Sequence, residues 1–213
     1  SLPNNFVRGW SYVKGIDFPN LVTMGTYVCY NSSNIAEINL PKLTEIGGYG
    51  FYNITSVKTL DFPKVVSVGS SGLRQCTSAT SINLPVCTTL NSYSLQKCSA
   101  VEKLDFPKVN WLGAQVFREC SALTTLIFRV DKVCTMSNVN SIFASTPIAS
   151  GTGYIYVPSA LVDSYKTATN WSTYAAQIRA IEDYPEITGT DETATTIKFP
   201  AQSLTEGISS TIY

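Results

Sequence analysis

Proline recurs at Pro19, Pro41, Pro63, Pro85 and Pro107, one every 22 residues without slippage. A chain with that period is built from one structural unit repeated, each unit stacking on the last. Each proline closes a short segment: Ile16-Asp17-Phe18, Ile38-Asn39-Leu40, Leu60-Asp61-Phe62, Ile82-Asn83-Leu84 and Leu104-Asp105-Phe106. Apolar and polar residues alternate in all five, which is the pattern of a half-buried β-strand, so Ile38 and Leu40 face inward and Asn39 outward. The proline ends the strand because it has no N–H to give to a ladder. Leu126-Ile127-Phe128-Arg129 continues the register without its proline.

Further apolar positions line up down the units. One column is Leu21, Leu43, Val65, Cys87 and Val109; a second is Met24, Ile46, Val68, Leu90, Leu112 and Cys134; a third is Cys29, Phe51, Leu73, Leu95, Phe117 and Val139; a fourth is Ile35, Val57, Ala79, Val101 and Leu123. A single unit cannot bury these side chains, whereas units stacked at about 4.8 Å make one continuous core. The reading is a repeat solenoid of leucine-rich-repeat type, with 22-residue units, one parallel β-sheet and irregular returns. The rival is a right-handed parallel β-helix with three strands per coil. One clear alternating segment per unit and Gly/Ser-rich returns such as Ile46-Gly47-Gly48-Tyr49-Gly50 favour the leucine-rich repeat.

The units share more than spacing. Leu-Asp-Phe-Pro-Lys-Val, an Ile-Gly or Val-Gly step, an aromatic or Leu, then Cys-Ser or Cys-Thr resembles the BspA-like class of leucine-rich repeats over residues 15–149. The resemblance implies a bacterial surface or secreted protein, in some cases an adhesin or a prophage-encoded protein, and it implies no reaction. Two departures stand out: the sixth unit has no proline, and Asp131 falls in an otherwise apolar column. The stack is expected to loosen there.

Residues 1–14 read as the second half of an earlier unit, a partial repeat or N-terminal cap. Leu2, Val7 and Val13 lie one period before Met24, Cys29 and Ile35, and Trp10 is placed to cover the first coil. Residues 150–182 read as a short helical C-terminal cap: a strand at Ile155-Tyr156-Val157, a helix from Ala160 to Thr167 with Ser159 as N-cap, and a second short helix capped by Asn170 and running through Ile178. Beyond Asp183, Thr, Ser and acidic residues take over, as in a linker, and Ile197-Lys198-Phe199-Pro200 weakly resembles the opening of a bacterial immunoglobulin-like domain. The tail, residues 183–213, is therefore a linker or the start of another module. The first residues have no signal-peptide character and no initiator Met, as in a mature form or an excerpt.

Composition narrows the function. The chain has no histidine, which removes the commonest general base and metal ligand. Charged residues are 14% and the formal net charge is zero, so nothing points to nucleic acid, and no apolar run has the length for membrane insertion. All six cysteines fall in inward columns, Cys76, Cys98 and Cys120 in one of their own. They read as free thiols acting as small hydrophobes, because side chains pointing in parallel along a stack suit neither a disulfide nor a tetrahedral metal site.

The outward strand positions run Asp17, Asn39, Asp61, Asn83, Asp105. A glycosidase would need two carboxylates around one cleft. Here they alternate with Asn on a flat or gently concave sheet, where Asn separates like charges. Lys42, Lys64 and Lys108 follow the prolines, and Tyr30, Tyr49, Tyr52 and Tyr93 lie in the returns. The expected ligand-binding residues are the strand-face row with Tyr30 and Tyr52, tyrosine being enriched where proteins bind. No catalytic residue, metal or cofactor is expected. The chain reads as a monomeric, non-enzymatic binding or adhesion scaffold, extracellular or at the cell surface, with a protein or glycan as partner. The alternative is a spacer or assembly module with no soluble ligand.

Overall fold

The computed structural model describes residues 1–137 and 141–188. In chain order the first strands are β1 (Gly15–Asp17), β2 (Glu37–Asn39), β3 (Glu45–Ile46), β4 (Thr59–Asp61), β5 (Ser67–Val68), β6 (Ser81–Asn83) and β7 (Thr89–Leu90). They are followed by β8 (Lys103–Phe106), β9 (Trp111–Leu112), β10 (Thr125–Phe128), β11 (Thr135–Met136), β12 (Tyr154–Val157) and β13 (Ile178–Ala180). All pairing is parallel, and in the intact units it carries the 22-residue offset seen in the sequence: Ile16 lies beside Ile38, Leu60 beside Ile82, Leu104 beside Leu126.

The strands form two sides of each coil. On the strand face, β1 pairs with β2, β4 with β6, and β8, β10, β12 and β13 follow in order; β2 lies against β4 and β6 against β8. A second ladder runs β3-β5-β7-β9-β11. The expectation of a single sheet with irregular returns is corrected here, since the Ile-Gly and Val-Gly steps are themselves short strands.

The third side is also ordered. Tyr27, Cys29 and Asn31 donate their backbone N–H groups to the carbonyls of Gly48, Gly50 and Tyr52 on the next coil, and Tyr49, Phe51 and Asn53 repeat this toward Ser70, Gly72 and Arg74. Tyr27 and Asn31 have left-handed backbones, with φ of 56° and 58°, and so do Tyr49, Asn53, Ser71 and Gln75. Such a conformation costs a non-glycine residue about 1–2 kcal/mol. The inter-coil hydrogen bond gained by each left-handed residue offsets it.

Between the three sides lies one continuous core, from Val7 and Leu21 through Phe51, Phe62, Phe106, Phe117 and Phe128 to Trp171 and Tyr174. Cys76, Cys98 and Cys120 are fully buried, and each Sγ donates to a backbone carbonyl 25 residues earlier, Phe51, Leu73 and Leu95, at 3.2–3.3 Å. Ser32, in the same column, donates its hydroxyl to Val7 in the same way. Four of the five coils thus carry a small side chain with a donor in this column, a role beyond the apolar packing expected of it, and Ile54, also fully buried, fills the same place in the remaining coil by apolar packing alone. All six cysteines are free. Burial pushes the thiols of Cys29, Cys76, Cys120 and Cys134 up to about 12 and that of Cys87 to about 11, and Cys98 is also raised.

The sixth unit does not loosen; it lengthens. Met136, not Cys134, lies beside Leu112, and Phe143 stacks on Phe117 at 5.4 Å. The chain absorbs extra residues, so Asp131 is exposed instead of filling an apolar column. Val139, assigned to the column of Phe117, lies outside the described residues.

Past this unit, α1 (Pro147–Ser150) is capped by the Thr146 hydroxyl, which accepts from Ala149 N–H, and leads into β12. The helix that follows is 3₁₀ over Ser159–Leu161 and then α2 (Val162–Thr167). Ser159 is inside the 3₁₀ turn and does not cap it. Asn170 has a φ of 71° and donates to the carbonyl of Met136; the second helix is a kinked 3₁₀ segment at Ser172–Gln177, and Ile178 begins β13. Tyr165 and Trp171 lock this region onto the last coil: Cys134 N–H donates to Tyr165 Oη at 2.9 Å, and Trp171 Nε1 donates to the Cys134 carbonyl at 2.6 Å. At the other end Leu2 bridges Met24 and Val7 is buried, but Trp10 is 52% exposed and does not close the first coil.

Candidate functional site

The strand face has two outward columns. The first reads Asp17, Asn39, Asp61, Asn83, Asp105, Ile127, Tyr156; the second reads Gly15, Glu37, Thr59, Ser81, Lys103, Thr125, Tyr154. Alternation along each strand places these residues outward because their neighbours are committed to the core.

The Asp and Asn residues are joined in pairs. Asn39 Nδ2 donates to Asp17 Oδ1 at 2.8 Å and Asn83 Nδ2 to Asp61 Oδ1 at 2.7 Å. Each pair leaves the second carboxylate oxygen and the Asn carbonyl oxygen open to solvent, and the two pairs repeat every two coils, about 10 Å apart. Asp105 differs. Arg129 grips it through Nε and Nη2 at 2.7–3.1 Å, and Nη2 also donates to the carbonyl of Ile187 at 2.7 Å. Arg129 occupies the place where the intact units carry proline, so the missing proline supplies a cation that Asp17 and Asp61 lack; among the described residues neither is in an ion pair.

Beyond Asp105 the outward column turns apolar and is covered. Ile127 and Tyr156 pack under Ile181 and Ile187, which form a small second core with Tyr154 and Tyr184. Arg179 lies 3.3 Å over the Tyr154 ring and donates to Tyr184 Oη. The helical turn α3 (Pro185–Thr188) completes this strap. Residues 184–188 thus pack on the sheet, and the rest of the expected linker, with the Ile197–Pro200 segment, lies outside the described residues. The sequence reading missed the strap, although Ile127 in a column of Asp and Asn was its signal. Shallow depressions lie along the uncovered part of the face: one lined by Asp17, Glu37 and Asn39 and another by Asp61, Asn83, Lys103 and Asp105.

Tyr30 and Tyr52 are not near this row; they belong to the third side of the coil. Tyr30 stacks on Tyr52 and Tyr27 on Tyr49, each at 4.8 Å between centroids. Arg8 lies over Tyr27 and Tyr30 at one end, and Arg74 over Tyr52 and Tyr93 at the other. Among the described residues no hydrogen bond or ring contact joins the two sets. Nor does any group of three or more His, Cys, Asp or Glu there have the arrangement of a metal site.

Parallel short strands with a 22-residue offset, apolar columns stacked coil on coil and turn-built returns define a leucine-rich repeat. Residues 9–148 match the BspA type leucine rich repeat region in six copies, and the chain belongs to that family. Such proteins are repeat scaffolds, typically for protein interaction, and generally not enzymes. Among solved structures the chain is similar to a leucine-rich repeat protein from Bacteroides ovatus ATCC 8483, at 17% identity and a TM-score of 0.50 over 73% of this chain and 43% of that one. It is also similar to a leucine rich cell surface protein from Faecalibacterium prausnitzii A2-165, at 19% identity and a TM-score of 0.50 over 75% of this chain and 43% of that one. The chain thus spans less than half the length of these structures, and at this identity the likeness concerns the fold alone. No curated protein matches it.

Proposed function

We propose that the chain is a non-enzymatic binding scaffold of a bacterial cell-surface or secreted protein, recognising a protein or glycan through its repeat surface. The observation that carries this reading is the contrast within one outward column. From Asp105 onward the column is paired or apolar and covered by the chain's own strap, whereas Asp17–Asn39 and Asp61–Asn83 are exposed, joined pairwise by a hydrogen bond and left with unused acceptors. Preorganised polar groups of this kind add affinity because little ordering entropy is lost on contact. The scaffold acts as a monomer, with neither nucleic acid nor a cofactor involved. Its place at the cell surface fits the family and one fold relative described as a cell surface protein. No helix of the described residues is long and apolar enough to cross a membrane.

The test is binding of the purified chain to an immobilised panel of extracellular-matrix proteins and glycans, beside a D17K/D61K variant. Saturable binding that the variant loses supports the reading. Failure to bind any member of the panel sinks it in favour of a spacer or assembly module.

A further inference from the structure

We propose that the turn side of the repeat is a second recognition surface, for an anionic polysaccharide. Arg8 and Arg74 bind its sulfate or carboxylate groups, and the edges of Tyr27, Tyr30, Tyr49 and Tyr52 hold its sugar hydroxyls. This inference rests on the reading of the chain as a binding scaffold but uses a different face.

Charge is the first argument. The chain has no formal net charge, yet it is polarised between sides. Residues 4–9, 26–31, 48–53, 70–75 and 92–97, which build five successive turns, contain no Asp or Glu and carry Arg8, Arg74 and Lys97. The strand face of the first coils instead presents Asp17, Glu37 and Asp61. An anionic partner is drawn to the turn side and repelled from the strand face.

Ring geometry selects among anionic partners. Three of the four rings are covered on both faces: ring lies on ring at interplanar angles of 5° and 12°, Arg8 lies over Tyr27 and Tyr30, and Arg74 lies over Tyr52, at 5.2–5.6 Å. Nucleic-acid bases bind aromatic side chains through free ring faces, and among these four rings one face of Tyr49 alone carries neither a stacked ring nor a guanidinium. The surface otherwise offers ring edges and phenol hydroxyls, and among the described residues the four hydroxyls have no hydrogen-bond partner. A two-by-two array of phenols, each able to donate and accept, suits the hydroxyls of a sugar chain. Three coils, about 14 Å, separate the two arginines, a spacing a stiff and regularly charged polymer can bridge.

Unpartnered buried groups mark one end of this surface. Ser71 stands between Tyr49 and Tyr93 in the column they share with Tyr27, and Arg74 lies over both Tyr52 and Tyr93. Ser71 is 1% exposed and Gln96 5% exposed, and Ser71 Oγ, Arg74 Nε and Gln96 Oε1 are buried without a partner. Donors and acceptors in that state are costly unless something meets them. Ser71 and Gln96 are closed to solvent, so it is the half-buried Arg74 side chain that offers an oxyanion its approach.

The experiment measures binding of the full chain to size-defined sulfated and carboxylated oligosaccharides, with an uncharged oligosaccharide, polyglutamate and a single-stranded oligonucleotide alongside. Saturable binding of the anionic sugars is expected, weakened about tenfold by R8Q and again by R74Q, since each removes charge-assisted hydrogen bonds. Y30F/Y52F, which keeps the ring stack and removes two hydroxyls, weakens it as well, and D17N/D61N leaves it intact. Arg8 is exposed, so R8Q carries the test if R74Q lowers the melting temperature. The proposal is overturned if no anionic sugar binds, if R8Q binds as the parent does, or if polyglutamate or the oligonucleotide binds equally well. Loss of panel binding in D17K/D61K with anionic-sugar binding retained, or the reverse, tells failure of one face from failure of the other.

Discussion

Raising the pH toward about 10 should unfold the protein cooperatively, because six thiols are buried in a core that holds them protonated. The ordinary thiol value is 9.0, and burial raises four of the six to about 12, Cys87 to about 11 and Cys98 well above the ordinary value. Between 9 and 11 the unfolded chain has released protons that the native one keeps, so the unfolded state binds fewer protons and stability falls as pH rises. One unit above the ordinary value each thiol costs on the order of 1–2 kcal/mol, and the six together on the order of 8 kcal/mol. That is comparable to the whole stability of an ordinary domain, roughly 5–15 kcal/mol. Burial also raises Tyr165, and it acts with the same sign. The assay follows thiolate absorbance and far-UV circular dichroism together in an alkaline titration. The two should change in one step, and that step should move to higher pH in C29L/C87V, whose new residues already occupy the same columns at Leu73 and Val65. Thiolate absorbance growing from about pH 8 while the dichroism stays native would refute the reasoning.

Three further perturbations test the packing. F117A removes a fully buried ring stacked on Phe143 and lying 6.2 Å from Phe106; a loss of about 3–5 kcal/mol is expected in denaturant titration. G47A drives a Cβ into the Gly25 carbonyl of the preceding coil, a backbone atom that cannot turn aside, and should cost about 1–3 kcal/mol in the same titration. R129Q removes a partly exposed ion pair and a bond to Ile187, lowering stability by no more than about 1 kcal/mol. Its clearer readout is faster hydrogen exchange at the amides of Ile187 and Thr188, with the amides of β8 unchanged.

Strand register was legible because each coil must set its apolar side chains on those of the coil before it, so Leu60 over Ile82 follows from spacing alone. The second ladder was not, since two residues such as Glu45-Ile46 are too few to show alternation and its hydrogen bonds are all backbone. Left-handed backbone at Tyr27 and Tyr49 left no trace either, because tyrosine does not announce a turn as glycine or asparagine does. Asp17, Asn39, Asp61 and Asn83 were legible as an outward row, but their pairing by hydrogen bonds needed the inter-coil distance. Tyr30 and Tyr52 were legible as a patch in the returns; that they stack on each other and are closed at the outer faces by two arginines was not. Ile127 and Arg129 held readable signals of the strap, an apolar residue in a polar column and a cation in the place of proline, and both passed as a degraded repeat.

Binding by the repeat surface is tested most directly by hydrogen exchange of the chain with and without a partner retained from the panel of matrix proteins and glycans. Protection on binding is expected at residues 15–17, 37–39, 59–61 and 81–83, with the 154–188 region unchanged. Protection confined to residues 154–188, or a panel from which nothing is retained, would contradict it.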